Sequence, residues 1–303
     1  MEQSLSIADK TIATMRGPAN MHIICIDVTN KCDLACSNCT RLLENQDTHW
    51  EMTPDNFRAA LRSLKGFYGI IAMIGGNPCM HRHFEELCKV FVEEIPNKLQ
   101  RGLWTNNYFK HRQLCLDTFG TFNLNTHGAE RAESVMNDFA QQAARGGAVV
   151  WNYSGHSDHA PLLTAVKDLY SEDEMWEKIG NCDINREWSA SVVQNKGELR
   201  AYFCEVAAAF DLARNEDHGL PVEEGWQQQP ITAFADQIKR FCPGCGVPAK
   251  QPPMKDFADT DTYTDSNADL AIKSQRDKKR KIIYMSVENK KETDRRVTSY
   301  NSN

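Results

Sequence analysis

The sequence contains no long apolar run and no export signal. No stretch of about 18 uninterrupted apolar residues, the length that a membrane-spanning helix needs, occurs in the chain. The first residues, Met-Glu-Gln-Ser-Leu-Ser, lack the basic segment and following apolar segment of a secretory signal. We therefore expect a soluble protein of the cytoplasm with no membrane partner.

Length and charge indicate the number of domains and the kinds of binding partner to expect. With 303 residues, of which 41% are hydrophobic and 25% charged, the chain can form one substantial domain with a small appendage. The net charge of −6 is unevenly distributed, because residues 271–303 hold ten Lys and Arg against four Asp and Glu. The basic run Lys278-Lys279-Arg280-Lys281 has no interleaved aromatic residues, so nucleic acid is possible but is not the favoured partner.

Cysteine is abundant, and a disulfide framework does not explain it. Such frameworks belong to short exported chains, whereas this chain has eleven cysteines, 303 residues and no signal. In a reducing compartment, clustered thiols are better interpreted as metal ligands. Seven cysteines form two groups, and the other four are predicted to be core residues. Of these four, Cys79 is predicted to lie closest to the cofactor. The first group is Cys32, Cys36 and Cys39, the second is Cys182, Cys204, Cys242 and Cys245, and the others are Cys25, Cys79, Cys88 and Cys115.

Short apolar segments alternate with amphipathic ones from about residue 20 onwards. This alternation predicts βαβ units and a parallel sheet, and therefore an α/β fold. Five units are visible, and a sixth is not. The predicted strands are 22–28, 69–74, a segment ending at 103–105, 121–126 and 148–153. The predicted helices begin near 54 and then cover 83–94, 109–116, 129–144 and 160–170, and a capping box at Ser171 and Glu174 opens one more.

The character of the chain changes after Cys182. Segments 188–193 and 198–203 flank Asn195-Lys196-Gly197, which is typical of a β-hairpin. From residue 251 the sequence is polar and charged, which predicts a flexible tail, although 282–285 could add a strand.

The first cysteine group has the spacing Cys32-x3-Cys36-x2-Cys39 and directly follows the first predicted strand. Active sites of barrel-like α/β folds gather at this end of the strands. Three thiolates on one loop can hold three irons of a 4Fe-4S cluster and leave the fourth iron open to a ligand. Zinc would need a fourth ligand, and only Asp33 lies nearby. Three unrelated core cysteines are the other alternative.

Three motifs each follow one of the first three predicted strands. They are the triad Cys32, Cys36 and Cys39, the segment Gly75-Gly76-Asn77-Pro78 and the segment Thr105-Asn106-Asn107. With these motifs, the sequence over residues 20–170 resembles the radical S-adenosylmethionine superfamily. The resemblance implies a partial (β/α) barrel of five to six units and a catalytic 4Fe-4S cluster whose open iron binds S-adenosylmethionine. The family usually has Gly-Gly-Glu-Pro, so Asn77 replaces its Glu, and it often has an aromatic residue at the position of Asn38.

The resemblance also implies residues that line the cofactor, although each could equally be a capping or turn residue. These are Gly75, Gly76, Asn77, Pro78, Thr105, Asn106, Asn125, His127 and Asn152. His156 and Asp158, with His159, follow the fifth strand and are candidates for proton transfer, but Asp158 could instead cap a helix. Arg200, Tyr202 and Glu205 flank Cys204 and could face a substrate.

The second cysteine group resembles the auxiliary-cluster extensions called SPASM and Twitch. A cysteine, a hairpin containing glycine, another cysteine and a C-x2-C pair follow in that order. Four thiolates imply one fully ligated 4Fe-4S cluster, which matches the shorter Twitch type. Cys242-Pro-Gly-Cys-Gly also fits a zinc knuckle, so structural zinc stays an alternative.

The resemblance predicts an enzyme that reductively cleaves S-adenosylmethionine to a 5′-deoxyadenosyl radical and abstracts hydrogen from a C–H bond. Isomerisation, epimerisation or dehydrogenation of a small-molecule or nucleotide-linked substrate would follow, with electrons from a donor such as flavodoxin or ferredoxin. A peptide-modifying maturase is less favoured, because only about twenty residues precede the first strand and leave no room for a leader-binding domain. A non-catalytic iron–sulfur electron-transfer protein is the other alternative. The predicted division is a lead at 1–20, the barrel at 21–178, the auxiliary extension at 179–250 and the tail at 251–303.

Overall fold

The computed structural model describes residues 5–127, 132–145, 150–154, 158–187, 190–250, 254–255, 260–274 and 281–286. Its strands are β1 (Ile23–Thr29), β2 (Ile70–Gly75), β3 (Arg101–Thr105), β4 (Thr121–Asn125), β5 (Val150–Ser154), β6 (Asp158–His159), β7 (Ala190–Asn195), β8 (Glu198–Tyr202), β9 (Leu220–Pro221), β10 (Met254–Lys255), β11 (Thr260–Tyr263) and β12 (Lys281–Tyr284). Its α-helices are α1 (Ile7–Thr14), α2 (Pro54–Ser63), α3 (Phe84–Glu94), α4 (Arg112–Thr118), α5 (Ala132–Ala144), α6 (Val166–Leu169), α7 (Glu172–Gly180), α8 (Asp183–Glu187), α9 (Glu205–Ala213), α10 (Ala235–Phe241) and α11 (Ala268–Ser274).

One sheet of eight strands organises the molecule, in the order β5-β4-β3-β2-β1-β7-β8-β9. Neighbours from β5 to β7 are parallel, whereas β7, β8 and β9 pair antiparallel. The predicted α/β class with a partial barrel is confirmed. All five predicted strands are present with small shifts of their ends, and so is the predicted hairpin.

Two differences from the sequence prediction concern the second half of the barrel. The sixth parallel strand, β7, pairs with β1 and not with β5, so no continuation of the βα alternation predicts it. The helix predicted at 160–170 is wrong for most of its length, because only α6 is helical there. The hydroxyl of Thr164 donates to the carbonyl oxygen of Pro161 at 2.6 Å, and Leu163 forms a β-bridge with Tyr263, which replaces the first helical turns.

The two faces of β1 are buried against different parts of the protein. Ile24, Ile26 and Val28 belong to the large core that the helices cover. Ile23 and Cys25 point to the opposite face, where they form a small separate cluster with Ala72 and Trp104. The alternation follows from the two-residue period of a strand. The second face leads into the site described below.

Helix starts follow the expected capping chemistry. The hydroxyl of Thr53 accepts a hydrogen bond from the Asn56 amide, and Pro54 occupies the first turn of α2. Ser171 and Glu174 form the predicted capping box of α7. Among the helices within the described ranges, none is long and apolar enough to cross a bilayer.

Part of the predicted tail packs onto the cysteine loop. Leu270 is fully buried, and its carbonyl oxygen accepts a hydrogen bond from Asn45 Nδ2 at 2.7 Å. The backbone N–H of Asn38 donates to Asp261 Oδ1 at 3.0 Å. Strand β11 pairs in parallel with β12. Strand β12 includes most of the segment 282–285, for which the sequence allowed a strand. The predicted domain boundaries stay predictions.

Candidate functional site

A cavity of about 280 Å³ opens beside the cysteine loop and the ends of β2, β3 and β4. The structure brings nine of the sequence-predicted site residues to its wall, although they are spread over about 95 positions of the chain. They are Cys32, Cys36, Cys39, Gly75, Gly76, Thr105, Asn106, Asn125 and His127. The remaining lining includes Trp104, Asn123, Arg41, Glu205 and His159.

The two glycines are required by the close approach of β2 to the cysteine loop. The Gly76 amide donates to Thr29 O at 2.8 Å, and the next amide donates to Lys31 O at 2.7 Å. A Cβ on Gly76 would lie 2.0 Å from Lys31 O, and Gly75 has φ +140°, which other residues rarely adopt. The sequence predicted that the glycines line a cofactor site. The structure shows that they also let the end of β2 approach the backbone next to Cys32.

Asn77 lies behind the cavity wall and organises it. Its Oδ1 accepts hydrogen bonds from Thr105 Oγ1 at 2.9 Å and from the Cys79 amide at 3.1 Å. Its Nδ2 donates to Asn106 Oδ1 at 3.0 Å. Asn77 is 3% exposed, and neither it nor Pro78 belongs to the cavity lining. The predicted cofactor contact of these two residues stays a prediction, and the structure gives Asn77 a positioning role.

Asn106 connects this network to the first cysteine. Its Nδ2 donates to Asp33 Oδ1 at 3.0 Å and lies 3.6 Å from Cys32 Sγ. The Leu34 amide also donates to Cys32 Sγ, at 3.4 Å. Burial raises the pKa of the Cys32 thiol to about 12, so this thiol loses its proton at neutral pH only when a cation replaces it.

The spacing of the thiols tests which metal group fits. Around a tetrahedral zinc with Zn–S bonds of about 2.3 Å, sulfur atoms lie roughly 3.8 Å apart. In the described part of the chain, no three cysteines of either group have their sulfur atoms within 4.8 Å of one another. The described thiols are thus not drawn together into the arrangement of a tetrahedral zinc site.

A buried ion-pair network forms one side of the cavity. Arg41 Nε lies 3.0 Å from Asp27 Oδ1, and Arg41 Nη2 lies 2.8 Å from Glu205 Oε2. Ser191 Oγ donates to the other oxygen of Asp27 at 2.6 Å. Burial acts to lower the pKa of Arg41, but the carboxylates of Asp27 and Glu205 outweigh it and the net pKa is raised. Sequence reasoning missed Arg41, although its position two residues after Cys39 was a signal.

The candidates flanking Cys204 separate into two kinds. Glu205 faces the cavity, as the sequence suggested. Arg200 instead binds Asp217 at 2.8 Å, and the hydroxyl of the fully buried Tyr202 donates to Asp211. These last two side chains support the sheet and do not line the cavity.

The proton-transfer candidates are placed only in part. His156 lies outside the described residues, and for Asp158 and Asn152 only the backbone is described. Asn152 pairs in register with Asn123, and Asp158 pairs with Lys255. His127 and His159 both line the cavity, with ring centroids 5.1 Å apart.

The second cysteine group surrounds a small cavity of about 20 Å³ between α7, α8, α9 and α10. All four thiols line it, and burial raises the pKa of each, that of Cys204 to about 12. Backbone amides at the starts of α8 and α9 point at Cys182 and Cys204, which favours anionic sulfur there. The structure brings together the four predicted ligands Cys182, Cys204, Cys242 and Cys245.

The two cysteine sites share a wall. Ile184 lines both cavities, and Cys204 of the second site directly precedes Glu205 of the first. None of the eleven cysteines, all of which lie within the described ranges, forms a disulfide. Cys25, Cys79, Cys88 and Cys115 are buried, as predicted, and Cys79 Sγ lies 3.9 Å from Cys115 Sγ.

No protein-family model matches the chain, and no curated protein matches it. Among solved structures it is similar to BtrN in complex with AdoMet and 2-DOIA, with 16% identity over 74% of this chain and 88% of that chain and a TM-score of 0.44. It is also similar to Streptococcus suis SuiB bound to precursor peptide SuiA, with 10% identity over 80% of this chain and 73% of that chain and a TM-score of 0.36. Both TM-scores are below 0.5.

Proposed function

We propose that this chain is a radical S-adenosylmethionine enzyme. The observation that carries the proposal is that one cavity is lined by three cysteines on one loop, by the glycine pair at the end of β2 and by polar residues at the ends of β3 and β4. An electron carrier needs a cluster but no adjoining cavity for a small molecule. The cavity therefore favours a catalytic cluster over a purely redox one.

Residues at different places on the cavity wall would have different roles. Cys32, Cys36 and Cys39 would hold three irons of a 4Fe-4S cluster. When reduced, such a cluster supplies the electron that cleaves S-adenosylmethionine to a 5′-deoxyadenosyl radical. The backbone at Gly75 and Gly76 borders the space next to the cysteines, and further along the wall Thr105, Asn106, Asn125 and His127 offer hydrogen-bonding groups to the bound molecule.

The substrate we propose is a small polar molecule or a nucleotide-linked group. A cavity of about 280 Å³ has the size of a small-molecule site. The amides of Asn123 and Asn125, the ring of Trp104 and the carboxylate of Glu205 can bind hydroxyl or amino groups. The imidazoles of His127 and His159 can accept or return a proton during isomerisation, epimerisation or dehydrogenation. An electron donor such as flavodoxin or ferredoxin and a reducing, cytoplasmic compartment belong to this proposal.

The second cysteine group would hold a fully ligated 4Fe-4S cluster of the Twitch type. Four buried thiols that line one small cavity support this proposal. The shared wall would place this cluster beside the substrate cavity.

The test is S-adenosylmethionine cleavage by the full-length chain. The protein is reconstituted anaerobically with iron and sulfide, reduced with dithionite, and assayed for 5′-deoxyadenosine. We expect product from the wild type and from Cys88→Ala, a core-cysteine control, and none from the triple variant Cys32→Ala/Cys36→Ala/Cys39→Ala. If the wild type forms an intact, reducible cluster but no product, the enzyme proposal is wrong and a redox protein is left.

A further inference from the structure

We propose that Asn185 donates a hydrogen bond to the second iron–sulfur cluster and thereby raises its reduction potential. The inference rests on the proposed function of the second cysteine group. It concerns a residue outside the ligand set, on α8, three positions after Cys182.

Asn185 is a buried amide without a partner in the described structure. The side chain is 2% exposed, and neither Nδ2 nor Oδ1 has a hydrogen-bond partner. A buried amide normally forms at least one hydrogen bond, because moving an amide out of water without a replacement hydrogen bond costs free energy. An unpaired amide at this depth therefore indicates a missing group next to it.

The surroundings of Asn185 show which kind of group is missing. Asn185 lines the small cavity together with the four cysteines of the second group. Apart from the cysteines, every other side chain on that wall is apolar, as Ile179, Phe203 and Phe241 illustrate. Among the side chains of the described wall other than Asn185 itself, sulfur is thus the only acceptor type, and a cluster would add sulfide atoms in the same space.

The local backbone already directs donors to this place. The amides of Ile184 and Asn185 point at Cys182 Sγ, so the first turn of α8 faces the thiols. A side-chain donor on the same turn extends this set of donors. Hydrogen bonds to the sulfur atoms stabilise the more negative, reduced cluster, and they raise its potential. Loss of the Asn185 donor should therefore lower the potential.

The experiment compares Asn185→Leu, which has a similar size and no donor, with the wild type. Both full-length proteins are reconstituted anaerobically, their iron and sulfide are counted, and the reduced second cluster is followed by EPR during a redox titration. We expect unchanged iron content and about a tenfold lower reduced-to-oxidised ratio at a fixed potential, which is a shift of about 59 mV for one electron. Asn185→Ala, which also lacks a donor and adds no bulk or charge, should shift the potential in the same direction if the leucine variant does not fold.

Asn195→Leu is the matched control. Asn195 is also a buried amide, but its Nδ2 donates to Glu216 O at 2.7 Å, so its loss should affect stability and leave the potential unchanged. An unchanged potential in both Asn185 variants at full iron content overturns the role of Asn185 alone. One zinc and no iron at the second site overturns the cluster proposal there and this inference with it. In either case, 5′-deoxyadenosine formation tests the first site separately.

Discussion

Replacing Gly76 with alanine should disrupt the first cysteine loop. The added Cβ would lie 2.0 Å from Lys31 O, 2.5 Å from Lys31 C and 3.0 Å from the Cys32 amide nitrogen. All three are backbone atoms, so no side chain can rotate away. To reach the 3.4 Å of an ordinary contact, the loop or the end of β2 must move by about 1.4 Å.

Such a displacement has two measurable consequences. Overpacking of this kind destabilises a folded chain by about 1–3 kcal/mol. It also separates Lys31 O from the Asn77 amide, which now lie 2.7 Å apart, and it moves Cys32 relative to the other two ligands. We therefore expect Gly76→Ala to unfold at a lower temperature and to bind much less iron at the first site.

The assay is iron and sulfide content after anaerobic reconstitution, together with thermal unfolding of the apoprotein. Gly17→Ala is the matched control, because its added Cβ would meet no atom closer than 3.6 Å. Normal iron content and an unchanged unfolding temperature in Gly76→Ala would show that the close approach of β2 to the cysteine loop is not needed, and would refute the reasoning.

Two further predictions concern buried charges and the covering segment, by which we mean residues 260–274, where Asp261 and Leu270 accept hydrogen bonds from Asn38 and Asn45. Arg41→Gln leaves Asp27 and Glu205 without their cation, so we expect a loss of about 3–5 kcal/mol in unfolding free energy. Burial raises the pKa of Asp27 in the folded state, so Asp27 is protonated at a higher pH in the folded chain than in the unfolded chain. The free energy lost on Arg41→Gln should therefore become smaller as the pH falls. Thermal unfolding between about pH 5 and 8 measures both effects. Asp261→Ala removes the acceptor of the Asn38 amide, and we expect faster release of iron to a chelator, followed spectroscopically.

Surface variants serve as controls for these two predictions. Arg62→Gln removes an exposed pair with Glu94 and should leave the unfolding temperature nearly unchanged. Asp269→Asn, on the exposed side of α11, should release iron at the wild-type rate. An Arg41→Gln penalty that is equal at both ends of the pH range contradicts the buried-charge account. Equal iron release from Asp261→Ala and the wild type contradicts a role for the covering segment.

Local patterns in the sequence predicted the elements better than their arrangement. The strands up to β5 and the capping box of α7 were predictable, because apolar periodicity and cap residues act within a few positions. The place of β7 beside β1 was not, since it depends on pairing between segments about 165 positions apart. The helix predicted at 160–170 failed because a bridge to Tyr263, about 100 positions away, holds Leu163 in another conformation.

In the site, too, local patterns were predictable and long-range contacts were not. Cysteine spacing and the glycine pair predicted residues that do meet at one cavity, because the ends of parallel strands lie at one edge of the sheet. The position of Asn77 behind the wall, and the pairing of Arg41 with Glu205, depend on side chains from distant segments. No short motif contains both partners of such a pair.

The place of β7 in the main sheet also limits how the protein can be shortened. A version ending before β7 would remove the strand that pairs with Ile24, Cys25 and Ile26 of β1. The backbone groups of β1 on that side would then form a bare sheet edge, which is a template for pairing with another chain. That edge would belong to β1, the strand that leads into the cysteine loop, so a chain shortened in this way should aggregate.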